Sequence, residues 1–103
     1  MLKSIHTRHN DIFLDMLRRS REARHLRQAD LAVRLGRGQS VISKVEQGER
    51  RLDVIELRAW LHALDVDFAA FMSELNRRHE GAPVPDAMFR ARQTVRSRQR
   101  DRA

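Results

Sequence analysis

At 103 residues, with a formal net charge of +7 and a pI near 11.4, the chain has room for one domain with a single modest core and for no separate sensory or catalytic domain. Its basic balance favours a polyanionic partner, and the absence of Cys excludes disulfides and thiolate metal sites while leaving the redox compartment open. No apolar run approaches the ~20 residues that span a bilayer, and the opening MLKSIHTRHND lacks the apolar core of a signal peptide; no membrane partner and a cytoplasmic, nucleoid-associated location are the default expectation.

Residues 1–9 form a lead-in of mixed character. Thr7 or Asn10 is placed to cap a first helix that runs to about residue 24, with Phe13 and Leu17 at i,i+4 and Ile12 and Met16 on an adjoining row. His25, Leu26 and Arg27 connect it to the stretch 28–47, QADLAVRLGRGQSVISKVEQ. Leu31, Ala32 and Leu35 recur there at helical spacing. Gly36 closes that helix, because the residue past a helix end often needs φ > 0, which Gly adopts without steric cost. Val41, Ile42 and Val45 fit one face of a second short helix, punctuated by Gly48. Its outward residues are Gln39, Ser40, Ser43, Lys44 and Gln47. These are hydrogen-bonding side chains with one cation and no carboxylate, a chemistry suited to the edges of bases.

Beyond Gly48, the segment Glu49-Arg50-Arg51-Leu52 forms a basic loop. Asp53 is placed to cap a fourth helix, with Val54, Leu57, Leu61 and Leu64 inward and Trp60 in the core. Asp65 and Asp67 flank Val66 and read as a turn and a helix cap. A fifth helix starts from about Asp67, carries Phe68, Phe71, Met72 and Leu75, and dissolves over residues 76–81. Its four apolar residues either close the monomer core or lie partly against a second subunit. From Ala82 the character changes: Pro83 and Pro85 break helix, and six Arg against Asp86 and Asp101 concentrate +4 of the net charge after residue 82. Residues 82–103 are therefore a basic tail, either disordered or a helix induced by a partner, with Met88, Phe89 and Val95 as anchors.

Catalytic chemistry is poorly served. His6, His9, His25, His62 and His79 are scattered without the i,i+4 pair and third ligand of a zinc site. No glycine-rich phosphate loop, nucleophile elbow or clustered carboxylate pair is present, so the expectation is no enzyme activity, no metal and no cofactor.

The spacing within 28–47 resembles the helix-turn-helix of the phage repressor and Cro-like (XRE-type) family of DNA-binding domains. Gln28 opens the first motif helix, Ala32 is the small residue where the helices cross, Gly36 sits in the turn, Ile42 and Val45 are the buried pair, and Glu46-Gln47-Gly48 resembles the family's Glu-x-Gly ending. The likeness covers roughly residues 17–66, with Leu26 resembling a buried connector. It implies an all-α, five-helix lambda-repressor-like domain over residues 10–81. It further implies a second motif helix, 39–47, that enters the DNA major groove. Gln39 pairs with adenine, Lys44 with guanine, and Ser40 and Ser43 serve either base or a phosphate. Gln28 resembles the family's phosphate clamp, with Arg27, Arg37, Gln47, Arg50 and Arg51 as further phosphate contacts. Arg21 and Glu46 match positions that form an ion pair between the first helix and the recognition helix.

The chain departs from the family pattern at three positions. Arg27 stands at a cap position that usually holds Ser or Thr, with Asp30 compensating through the helix dipole; Gly38 replaces a more frequent Ser, Thr or Pro; and Leu52 replaces an expected Pro. The resemblance implies a transcriptional regulator, a repressor, bound as a homodimer to a double-stranded operator, with helix 67–80 and the tail available for dimerisation. The alternative is an antitoxin-type module that holds a toxin partner and autoregulates its own operon.

Overall fold

Capping chemistry sets the helix boundaries. The computed structural model describes residues 8–80, which form α1 Arg8–Ala23, α2 Gln28–Leu35, α3 Gln39–Glu46, α4 Val54–Ala63 and α5 Phe68–His79, with no strand among the described residues. Gly36 ends α2 at φ 67°, its N–H and that of Arg37 closing back on α2 carbonyls, and Gly48 follows α3 at φ 82°. Asp53 accepts from the Glu56 N–H at 2.7 Å while Glu56 accepts from the Asp53 N–H at 3.0 Å, a reciprocal capping box. Asp67 caps α5 by accepting from the Ala70 N–H, and Asp65 makes the preceding turn at φ 58°. This is the all-α five-helix architecture expected.

Local expectations at the helix ends and faces are adjusted. α1 is already helical at Arg8, so Asn10 lies inside the helix and is not its N-cap. Val54 is 65% exposed; the Asp53 cap fixes the helix phase so that Leu57, Trp60, Leu61 and Leu64 face inward and Val54 does not. α5, expected over 67–80, runs Phe68–His79 and stays helical through the stretch 76–79 expected to fade, with Glu74 paired to Arg77 and Arg78 across its last turns. Thr7 and the tail from residue 82 lie outside the described residues, as does most of the lead-in.

The core gathers Met16 and Leu17 from α1, Leu31 and Ala32 from α2, Ile42 and Val45 from α3, Leu57, Trp60 and Leu61 from α4, then Leu64 and Phe71. α1 packs on α5 and α3, α2 on α3 and α4, and α4 on α5. Phe13 meets Phe71 edge to face at 6.2 Å, and Phe68, Met72 and Leu75 lean half-buried on the same core. Two arginines close the C-terminal end of α4: Arg24 donates to the carbonyls of Leu64 and Asp65, and Arg34 to that of Ala63. They satisfy acceptors that a helix end leaves without intrahelical partners.

Candidate nucleic-acid interface

The position of α3 follows from one carboxylate. Glu46, the last residue of the helix, accepts from Arg21 Nε at 2.7 Å, Arg21 Nη2 at 2.9 Å and Gln28 Nε2 at 3.0 Å. Arg21 also donates through Nη1 to the Leu26 carbonyl at 2.8 Å. Both ionic side chains are nearly buried, at 10% and 5% exposure, and the Glu46 carboxylate raises the Arg21 pKa further. Four separate elements are thereby joined: α1, the α1–α2 connector, the start of α2 and the end of α3. A bidentate guanidinium–carboxylate pair fixes orientation as well as distance, so α3 is held in a set direction against α1.

With Ile42 and Val45 buried, α3 turns the opposite face outward. Gln39, Ser40 and Lys44 are exposed, and Ser43 is half-buried. Gln47 Nε2 donates to Ser43 Oγ at 3.0 Å, so these two side chains act as a pair. Gly38, the N-cap of α3, sits at φ −74° and ψ 153°, a conformation open to any residue. A Cβ there would meet only Ser40 Oγ at 3.9 Å.

The cations expected to meet phosphate fall into two groups. Lys44 and Arg51 are exposed and form no ion pair among the described residues. The others are engaged. Arg27 holds Asp30 through Nε and Nη2, both at 3.1 Å, and the Asp30 carboxylate also accepts the Arg27 N–H at 2.8 Å. Asp30 thus closes the start of α2 by direct hydrogen bonding, beyond the dipole effect expected of it. Arg50 Nη2 lies 2.8 Å from Glu56 Oε2, and Arg37 Nη2 lies 3.6 Å from the same oxygen. Gln28, expected as a phosphate clamp, has its amide nitrogen committed to Glu46, which leaves its amide oxygen outside that bond.

Sequence reasoning missed Glu56 as a member of this surface. The spacing Asp53 to Glu56 carries the signal of a capping box, but nothing local says that the same carboxylate collects Arg37 and Arg50. It missed Arg24 and Arg34 as helix caps for a simpler reason: their acceptors lie 40 and 29 residues away.

Comparison with known proteins agrees with this geometry. A family model described as Helix-turn-helix matches residues 17–71. Among solved structures, an XRE-family like protein from Pseudomonas syringae pv. tomato str. DC3000 is 40% identical and superposes with a TM-score of 0.68, covering 81% of this chain and all of that one. No curated protein matches significantly. No described helix is long and apolar enough to cross a membrane. The match extends over more than half the chain and holds the helix pair that Glu46 locks together: the chain belongs to the XRE-type helix-turn-helix family of DNA-binding transcription regulators.

Proposed function

We propose that the chain is a sequence-specific repressor that inserts α3 into the DNA major groove as a homodimer on a two-fold operator. The observation that carries this reading is the outward face of α3, which offers Gln39, Ser40, Ser43 and Lys44 without a carboxylate and rests on the Arg21–Glu46–Gln28 lock. Gln39 at the helix start reads adenine through N6 and N7, Lys44 donates to guanine O6 and N7, and Ser40 and the Ser43–Gln47 pair serve base or phosphate. Arg51, Arg50, Arg37, Arg27 and the start of α2 at Gln28 contact phosphates on either side.

A dimer belongs to the proposal because one eight-residue helix reads too few base pairs for a useful specificity ratio. Genomic footprinting gives the operator, and binding titrations at several salt concentrations then test the roles. Gln39→Ala relaxes discrimination at its base by about 1–3 kcal/mol. Arg51→Ala lowers affinity evenly across sequences and flattens the salt slope by ~1. Equal binding to every duplex would sink the sequence-specific reading, and a monomer on the operator at saturating protein, by light scattering, would remove the homodimer from it.

A further inference from the structure

We propose that Glu56 restrains DNA affinity by holding Arg37 and Arg50, the cations that bracket α3, in ion pairs that a phosphate must displace, so that the two cations join the contact only when α3 is seated. The inference rests on the reading of α3 as the DNA-contacting helix.

The two arginines lie on opposite sides of α3 in the chain, yet their guanidinium groups converge on one oxygen of Glu56, at 3.6 and 2.8 Å. Their backbones cannot wander. The Arg37 N–H is bonded to the Ala32 carbonyl at 2.9 Å, closing α2, and the Arg50 N–H to the Lys44 carbonyl at 3.2 Å, folding the loop back on α3. Only the side chains are left to choose between Glu56 and DNA. Glu56 itself is fixed, because its other oxygen accepts the Asp53 N–H at 3.0 Å in the α4 capping box.

The choice depends on distance. Charge attraction weakens with separation and is screened over about 8–10 Å at physiological salt. In a loose, unseated complex a phosphate stands well beyond hydrogen-bond reach, and a carboxylate at 2.8 Å keeps Arg50. When α3 seats in the groove, phosphates come to contact distance of both flanking segments and the exchange becomes favourable. Glu56 therefore withholds two positive charges from non-specific encounters and releases them to the seated complex. Glu49 differs: it is exposed beside the same loop and forms no ion pair among the described residues. It repels DNA without restraining a cation.

The test compares Glu56→Gln with the charge-matched Glu49→Gln in the full chain, on a footprinted operator duplex and a scrambled duplex of equal length, from 50 to 200 mM salt. The amide introduced by E56Q keeps an oxygen for the Asp53 N–H, and equal melting temperatures verify that α4 is intact. With two cations released, E56Q steepens the log–log salt slope on the scrambled duplex by about 1–2 beyond E49Q and binds that duplex about three- to tenfold more tightly at 50 mM. Operator affinity rises by at least as much, because the seated complex no longer has to break the ion pairs, while the operator salt slope stays that of E49Q. Adding Arg37→Gln and Arg50→Gln to E56Q removes the extra slope. If E56Q matches E49Q in slope and affinity on the scrambled duplex, or binds that duplex more weakly, the role of Glu56 is overturned while the α3 reading stands. Should the wild-type chain fail to distinguish the operator from the scrambled duplex, the α3 reading itself fails.

Discussion

Glu46 accepts three hydrogen bonds from side chains on α1 and α2, and in a nearly dry setting each depends on the others. Removing one partner of a buried pair leaves the other charge without compensation and costs about 3–5 kcal/mol. Glu46→Ala is expected to lower the unfolding free energy by an amount in that range and to abolish operator binding, because α3 loses its direction. Urea unfolding followed by a binding titration checks both, and a variant that unfolds and binds like the wild type would remove Glu46 from the positioning role. Gly38 makes an opposite prediction. Its extended backbone and the open space around its Cβ position admit Ser, whose hydroxyl caps α3 and whose Cβ restricts the unfolded chain. Gly38→Ser should therefore stabilise by about 0.4–1 kcal/mol, visible as a raised melting temperature. Both residues are legible in the sequence, Glu46 through its place in the family pattern and Gly38 through its departure from that pattern. The engagement of Gln28 with Glu46 is not, because it joins residues 18 apart in the chain.

At the scale of elements, helix existence can be read from the sequence and helix phase less securely. Apolar spacing locates all five helices, yet a period of 3.6 tolerates a stripe shifted by one residue, and on that basis Val54 reads as an inward residue. The Asp53–Glu56 box and the packing of Trp60 decide otherwise. Helix ends that meet distant side chains are harder still. The α4 terminus depends on Arg24 and Arg34, so Arg24→Ala should destabilise the fold by about 0.5–1.5 kcal/mol through the lost hydrogen bonds, although α1 itself keeps its own hydrogen bonds. Amide exchange localises the effect: protection should fall at the end of α4 and the start of α5. In the core, Leu61 is fully buried, and Leu61→Ala is expected to cost about 2–5 kcal/mol by chemical denaturation.

For the whole molecule, positive charge is distributed in two ways. Several arginines are spent on acids within the fold, while Lys44 and Arg51 remain outward beside α3. The paired acids make stability depend on pH. Hydrogen bonds from Arg27 hold the Asp30 carboxyl at about 2, below its ordinary 3.8, and those from Arg77, then Arg78, hold Glu74 at about 2, below 4.5. Glu56 is lowered by Arg50 and then by the Asp53 N–H. A carboxyl with a depressed folded pKa binds protons more readily when unfolded. Its contribution is thus complete above about pH 4.5 and is lost as pH falls towards 2. Melting temperature should be level through neutral pH and decline below about pH 4.5, with the decline weakened in Asp30→Asn and Glu74→Gln.

The sequence by itself determined the helical periods, the glycine at Gly36, the caps at Asp53 and Asp67 and the chemistry of the α3 face, since each depends on residues within one or two turns of one another. Only the tertiary structure decided which charges face outward. Ion pairs such as Arg37 and Arg50 with Glu56 form between segments that neither period nor composition relates, and packing α2 on both α3 and α4 is what brings them together.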